Sequence, residues 1–184
     1  MALLEIILEG DPRLRQKATR VRTVDDALRK LAADMFETML DAPGIGLAAP
    51  QVGVTRRLIV AHVPAGYHDE DDPEFSVILV NPEIVRSQGR EIGTEGCLSI
   101  PGWVGDVPRF DAITVKATTL ENKAIRLKAF GFPARVLQHE IDHLDGILFT
   151  DRVEDRESLR MVPEEDEEET LDQGVTVSAV AAGP

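Results

Sequence analysis

The stretch that decides the fold runs from Pro133 to Gly146 and has the sequence PARVLQHEIDHLDG. Proline suits the first turn of a helix and glycine suits the position just after its end, so this stretch predicts an α-helix. Its apolar residues recur at helical spacing and cluster on one face: Leu137, Ile141 and Leu144. We therefore predict an amphipathic helix that packs on the protein core.

The same helix carries two histidines beside its apolar face. His139, Glu140 and His143 form the motif H-E-x-x-H, in which histidines one turn apart project the same way and can bind one metal ion. The glutamate lies on that side, where it can take a proton from water at the metal. Gln138 and Asp142 are expected to point toward water. The alternative is an ordinary helix that happens to contain two histidines.

A third protein ligand would decide the class of enzyme. A metzincin protease needs histidine where this sequence has Phe149, so that class is excluded. A thermolysin-like protease takes a downstream glutamate, for which Glu164 and Glu165 are candidates, although an acidic run is a poor place for a fixed ligand. Cys97 is the other candidate, because a thiolate binds iron or zinc well. A lone cysteine is also commonly a small buried apolar residue, so the residues alone leave both possibilities open.

A glycine- and alanine-rich stretch lies far upstream, at residues 44–53, and has the sequence GIGLAAPQVG. Small residues let the backbone approach a ligand or another strand closely. No G-K-[ST] follows and G-x-G lacks its third glycine, so the stretch is not a phosphate-binding loop. The stretch predicts either a helix-to-strand turn or a backbone segment that lies against a ligand. In the second case Gln51 can donate an amide hydrogen bond into the site.

Composition limits the class of protein. The 184 residues are 43% hydrophobic and carry a net charge of −13, which indicates one globular domain with a real core. No apolar run approaches the roughly 20 residues of a membrane helix, and the acidic balance argues against a nucleic-acid site or binding to anionic membranes. The single cysteine excludes an internal disulfide framework.

The charge is concentrated at the C-terminal end. Residues 154–184 hold 10 acidic and 2 basic side chains, a net charge of −8, and residues 164–169 are six consecutive acids. Like charges in a block oppose compaction. We therefore predict a catalytic domain over residues 1–153 and an acidic, flexible tail over residues 154–184.

Other periodic segments complete the predicted framework. A helix is predicted from Thr23, with Asp26 in a capping-box-like start, up to Pro43 and Gly44. Its apolar positions form one stripe: Val24, Leu28, Leu31, Met35 and Met39. Short apolar runs at 57–63 and 77–81 predict strands. Alternation at 112–118 and 125–129, separated by the turn at 121–123, predicts a hairpin.

The N-terminal segment starts apolar but does not resemble an export signal. It lacks a basic region, and Glu5, Glu9 and Asp11 interrupt or close its apolar stretch. We predict an edge strand there and a cytoplasmic location, where the lone thiol stays reduced. The polar loop around residues 65–74 predicts that His68 is a solvated side chain.

Three of these segments together resemble the peptide deformylase family. Its motifs are G-x-G-L-A-A-x-Q, E-G-C-L-S and H-E-x-x-H, and all three occur here in that order, at Gly44–Gln51, Glu95–Ser99 and His139–His143. The D-P-R-L-R run at Asp11–Arg15 is also similar to the family. The resemblance covers residues 4–151, and three motifs in register are far more specific than any one of them.

The resemblance implies a metal-dependent hydrolase that removes the formyl group from the N-terminal methionine of new polypeptides and releases formate. Cys97, His139 and His143 would bind one divalent metal ion, Fe(II) in the native enzyme, with zinc, nickel or cobalt able to replace it. The implied fold is α+β, with antiparallel β-sheets packed around the C-terminal metal-binding helix and a further helix near the N-terminus.

The resemblance also implies roles in catalysis and substrate binding. Glu140 would be the general base and acid, while Gln51 and the Leu98 backbone N–H would bind the formyl oxygen. The residues implied to bind substrate are Ile45, Gly46, Gly96, Phe132 and Val136. The partner is an N-formyl-methionyl nascent peptide. The acidic tail has the wrong charge for a basic ribosome-docking segment, so ribosome association stays open.

Two other functions remain to be compared with this one. The first is an endopeptidase that uses His139, His143 and a downstream acid. The second is a non-enzymatic fold whose ion only stabilises it or binds peptide ends. The presence of both Glu140 and Gln51 disfavours the second.

Overall fold

The computed structural model describes residues 2–68 and 70–162, and these form an α+β fold, as predicted. The two α-helices are α1 (Asp26–Asp41) and α2 (Gly131–Leu144). The strands are β1 (Gly46–Ala48), β2 (Leu58–Val63), β3 (Phe75–Gln88), β4 (Glu91–Cys97), β5 (Ile100–Arg109), β6 (Ala112–Thr118), β7 (Ala124–Phe130) and β8 (Arg160–Met161).

The strands form two antiparallel sheets in the described part of the chain. The larger has the order β1-β2-β3-β6-β7 and the smaller has the order β4-β5-β8. Strand β1 is therefore an edge of one sheet and β4 an edge of the other. Strand β1 lies within the motif at Gly44–Gln51, and β4 ends at Cys97 of the motif at Glu95–Ser99. The sheet order therefore leaves the backbone of both motifs on edge strands.

Helix α2 is covered on both sides. Leu137, Ile141 and Leu144 pack into the core formed by the larger sheet, as their spacing predicts. The prediction that Gln138 and Asp142 point toward water is wrong, because both side chains are buried. Gln138 binds the backbone of Phe110, accepting from its N–H at 3.0 Å and donating to its carbonyl at 2.9 Å. The end of the smaller sheet thus covers the face that an amphipathic pattern assigns to solvent.

Helix α1 lies against the opposite face of the larger sheet, and the predicted apolar stripe packs into the core there, with Leu31 only half-buried. Its start is later than predicted. Asp25 is the N-cap, and its carboxylate accepts the Leu28 backbone N–H at 2.8 Å. The Val24 backbone is instead held by the Asn122 side chain, whose oxygen accepts the Val24 N–H at 3.1 Å. A tertiary contact with the hairpin turn therefore keeps residues 23 and 24 out of the helix.

The predicted strands are confirmed, with one extension. Strands β6 and β7 form the expected hairpin, and Asn122 adopts a left-handed φ of 59° in its turn. Strand β3 runs well beyond the predicted 77–81 stretch, with a register shift between Val80 and Glu83 around Pro82. The sequence does not predict β4 and β5, because glycines and charged residues interrupt any apolar alternation along them.

The N-terminal segment is not a strand, contrary to the prediction. Two backbone hydrogen bonds anchor it instead, from Ile7 N–H to the Gln51 carbonyl at 2.8 Å and from Glu9 N–H to the Ser99 carbonyl at 2.7 Å. It therefore joins the first motif to the second across the surface. Neither helix in the described part has the length and apolar character needed to cross a membrane.

Backbone pairing with the smaller sheet also occurs after Val153, within the segment predicted to be an acidic tail. Strand β8 pairs with β5 at Trp103 and Met161, and the Val162 N–H donates to the Gly102 carbonyl at 2.9 Å. Residues 160–162 are therefore hydrogen-bonded to β5, and the domain boundary at Val153 stays a prediction. The six-acid run at 164–169 lies outside the described residues.

Candidate metal centre and active site

Three potential metal ligands converge between β4 and α2. Cys97 ends β4, and its Sγ lies 3.2 Å from Nε2 of His143. Nε2 of His143 lies 3.2 Å from Nε2 of His139. The three donor atoms are all within 4.8 Å of one another, and all three side chains are buried. The structure thus brings together the two helix histidines and the cysteine that the sequence left undecided.

This donor set fits a divalent metal ion. Two nitrogens that each bind a tetrahedral ion at about 2.0–2.1 Å lie about 3.3 Å apart, close to the separation seen here. Burial holds the pKa of His143 well below its usual range, so its imidazole is neutral. A neutral imidazole keeps the lone pair that a metal needs. The three donor atoms therefore lie close enough together to be ligands of one divalent ion.

Glu95 orients His139 from the side opposite the converging donor atoms. Its Oε2 lies 2.9 Å from Nδ1 of His139, and Arg109 forms a bidentate pair with its two oxygens at 2.8 and 2.9 Å. Burial would raise the pKa of Glu95, but Arg109 holds it well below its usual range. Glu95 stays ionised and fixes the His139 tautomer. Its position two residues before Cys97, on the same face of a strand, was a usable signal in the sequence.

Glu140 is buried beside this centre. Its Oε2 has no hydrogen-bond partner among the described residues, and burial raises its pKa to about 7. The other oxygen lies against the backbone of Gly46 in β1. A Cβ built at position 46 would contact Oε1 and come within 2.8 Å of the Glu140 Cδ. Only glycine lets β1 approach this carboxylate so closely.

Gln51 and Leu98 reach the same centre from two segments. The Gln51 Oε1 accepts the Ala48 N–H at 2.8 Å, which fixes the direction of its amide. Its Nε2 then lies 3.3 Å from Ser99 Oγ and 3.5 Å from Cys97 Sγ. Leu98 directly follows Cys97 and is buried, with its side chain packed near Gly44. The amide of Gln51 therefore points at Cys97 Sγ, a candidate metal ligand, rather than at solvent.

The residues implied to bind substrate fall into two groups, three apolar side chains and two glycines. Ile45 and Val136 are buried in one core cluster, and Gly46 and Gly96 lie on the strands that flank the centre. Phe132 lies one turn before Val136, at a cavity of about 340 Å³ that Arg135 also lines. Its ring stacks with that of Tyr67 at 5.5 Å and with that of His68 at 5.1 Å.

His68 is exposed, as predicted, but it is more than a solvated loop residue because its ring stacks on Phe132. The loop at residues 65–68 is therefore tied to the first turn of α2. This contact could not be predicted from the local sequence, because the two rings are more than 60 residues apart.

Comparison with known proteins decides the family. The family model for polypeptide deformylase matches residues 3–159, which is most of the chain. The chain belongs to the polypeptide deformylase family. Deformylases remove the N-formyl group from nascent peptides, so this chain is a metal-dependent hydrolase of that class.

Individual deformylases agree over nearly the whole length. The peptide deformylase of Thermomicrobium roseum is 59% identical over 168 residues, which is 91% of this chain and 96% of its own. That of Symbiobacterium thermophilum is 51% identical over 170 residues, covering 92% of this chain and 74% of its own.

Solved deformylase structures share the fold. A Met-Ala-Ser-bound class I type b deformylase from Acinetobacter baumannii has a TM-score of 0.78 at 38% identity, covering 83% of this chain and 99% of that chain. An actinonin complex of the Synechococcus elongatus deformylase has a TM-score of 0.75 at 45% identity, covering 84% of this chain and 83% of that chain.

Proposed function

We propose that this chain deformylates N-formyl-methionyl peptides at a single centre where Cys97, His139 and His143 hold one divalent ion. The observation that carries this proposal is the convergence of these three buried donor atoms beside Glu140, whose Oε2 has no hydrogen-bond partner among the described residues. When bound, the ion supplies Lewis acidity to the attacking water and to the formyl carbonyl. The remaining steps belong to side chains and backbone groups of this chain.

Glu140 moves the proton. Its Oε2 is buried without a partner among the residues described, so it is available to accept a proton from the attacking water. A pKa raised to about 7 by burial suits a group that must take a proton and then give it up. Glu140 then returns that proton to the leaving amine, and formate departs.

Gln51 and the Leu98 N–H stabilise the charge that develops on the formyl oxygen. Both groups are donors, and the Gln51 amide is already oriented by the Ala48 N–H. Donors that are placed before reaction need no reorganisation when charge appears, which is why they accelerate it. The Gln51 Nε2 atom lies 3.5 Å from Cys97 Sγ, and Leu98 directly follows Cys97 in the chain, which supports these two roles.

The substrate backbone binds at the free edges of the two sheets. Strands β1 and β4 are edge strands among the described residues, and Gly46 and Gly96 lie on them. A peptide can therefore add as an extended strand beside this centre. Ile45, Val136 and Phe132 supply apolar surface for the methionine side chain. Formyl is the smallest acyl group, so a tight cavity at this centre would exclude larger ones.

The resemblance to the family favours Fe(II) as the native ion, with zinc, nickel and cobalt as substitutes. One soft thiolate and two imidazoles suit all four metals. The reducing cytoplasm would preserve the Cys97 thiol. The rival endopeptidase would require Glu164 or Glu165 as a ligand, and these lie outside the described residues.

One assay distinguishes these functions. The purified protein would be given formyl-Met-Ala-Ser and, separately, an unformylated peptide with a susceptible internal bond, each with and without a chelator. We expect chelator-sensitive release of formate and no internal cleavage. Internal cleavage without formate release would overturn the proposal in favour of an endopeptidase, and peptide binding with neither reaction would favour a non-enzymatic role.

A further inference from the structure

A continuous chain of charged side chains runs from His139 to the protein surface. His139 contacts Glu95, Glu95 pairs with Arg109, Arg109 donates to Asp142, and Asp142 accepts from Arg152. The first four side chains are buried, whereas the Arg152 side chain is 45% exposed. None of these contacts is between neighbours in sequence, so the chain exists only in the folded protein.

Arg109 is the junction of this chain. Its Nε and Nη2 donate to the two oxygens of Glu95 at 2.8 and 2.9 Å, and its Nη1 donates to Asp142 at 2.6 Å. One guanidinium on β5 therefore joins β4, which carries Cys97, to α2, which carries both histidines. A planar fork of this kind fixes the plane of the carboxylate that it binds.

The Oε2 atom of Glu95 has two partners. It accepts from Arg109 at 2.9 Å and contacts Nδ1 of His139 at the same distance. Arg135 also holds Glu95, but at the other oxygen. Arg109 is thus the only guanidinium among the described residues that shares an oxygen with His139.

We propose that Arg109 is a positioning residue for the metal centre, which acts through Glu95 to fix the His139 ring while Asp142 holds Arg109 in place. This inference rests on the proposed function, because it takes His139 as a metal ligand. Partners behind a ligating histidine commonly change metal affinity by about 10–100-fold when they are altered.

An effect of charge and an effect of positioning would change metal affinity in opposite directions when Arg109 is removed. Its positive charge repels a bound cation, so an effect of charge alone would strengthen metal binding when Arg109 is removed. Loss of positioning would weaken metal binding, because the Glu95 carboxylate could rotate away from His139. Arg109→Lys keeps the charge and removes the fork, so it isolates the positioning effect.

Arg152→Lys is the matched control. Arg152 also binds Asp142, with donor distances of 3.0 and 2.7 Å, but it does not contact Glu95. Each substitution replaces an arginine that binds Asp142 by lysine. Only Arg109→Lys also alters a contact of Glu95, the partner of His139.

The experiment loads both variants and the wild-type protein with Co(II) and measures affinity by chelator competition, the visible absorption spectrum and the melting temperature. We expect about tenfold weaker binding and an altered spectrum for Arg109→Lys, and wild-type behaviour for Arg152→Lys. A difference of about fivefold or more between the variants supports the proposal. A smaller difference with identical spectra overturns it, whatever the melting temperatures.

Glu95→Gln keeps the test decisive if Arg109→Lys does not fold. It preserves the shape of the side chain and an acceptor for His139 but loses the carboxylate that Arg109 holds. Weakened Co(II) binding is again expected, and wild-type affinity would overturn the inference. If wild-type protein binds Co(II) but releases no formate, the proposed function fails while this comparison of metal affinities still stands.

Discussion

Substitution of Gly46 by alanine tests how closely β1 controls the general base. The φ of Gly46 lies outside the left-handed region, so its backbone accepts an L-residue, and only the contact with Glu140 forbids a side chain. The new methyl group would meet Oε1 and lie 2.8 Å from Cδ and 2.9 Å from Cγ of Glu140. The carboxylate must therefore retreat by about 1 Å, and a displacement of that size costs about 10²-fold in rate.

The assay is formate release from formyl-Met-Ala-Ser by the metal-loaded variant. We expect kcat/KM to fall about 10²-fold with bound metal unchanged, because Glu140 is not a proposed ligand. Gly105→Ala is the control, since its Cβ would also meet a side chain, at 2.9 Å from Val153 Cγ2, away from Glu140. Both variants should lose about 1–3 kcal/mol of unfolding free energy, but only Gly46→Ala should lose activity.

A second comparison introduces Gly46→Ala into protein that already carries Glu140→Asp. Aspartate is one methylene shorter and leaves room for the methyl group, so the penalty of Gly46→Ala should shrink to less than about threefold there. Equal penalties in both backgrounds would show that the contact with Glu140 is not the cause. Activity within about threefold of wild type for the single variant would refute the reasoning outright.

Three further outcomes follow from the site. Glu140→Gln should bind metal normally but lose at least about 10²-fold in turnover, since glutamine cannot accept the proton; near-native formate release would remove Glu140 from the mechanism. Truncation after Val162 should leave kcat/KM on short formyl-Met peptides nearly unchanged, because a six-acid run opposes packing; a collapse in activity would show that the tail contributes to the site. Cys97→Ser should release metal to a chelator more readily than Cys97→Asp, which keeps a negative donor; equal retention would argue against a thiolate ligand.

The centre should also be sensitive to oxygen. A thiolate on Fe(II) leaves both partners oxidisable, and oxidised sulfur is a poorer ligand. Iron-loaded protein in air should therefore lose activity faster than nickel-loaded protein, which is checked by timed assays of both forms. Equal decay would point to a cause of inactivation other than the centre.

Local signals in the sequence predicted the helix that carries both histidines and one hairpin of the larger sheet. Helix α2 follows from proline and glycine at its ends and from apolar residues at helical spacing, and the H-E-x-x-H motif places His139 and His143 on one face. The β6–β7 hairpin follows from alternation around a turn. Such signals suffice because each depends on contacts within one element or between neighbours in the chain.

The sequence left the third ligand open for a physical reason. Cys97 and His143 are 46 residues apart, and their contact depends on how β4 packs against α2. No local pattern encodes that distance. The resemblance to deformylases pointed to Cys97, and the geometry of the fold is what brings its sulfur within 3.2 Å of the histidine.

Only the tertiary structure decided which polar side chains on α2 are buried. A polar residue opposite an apolar face predicts exposure, and that prediction is wrong for Gln138 and Asp142 because the end of the smaller sheet covers them. In the same way, the N-cap of α1 is Asp25 rather than a residue at the predicted start, Thr23, because Asn122 holds the backbone of Val24. Burial of a charged group depends on partners supplied by distant strands, and Arg109 is such a partner for both Glu95 and Asp142.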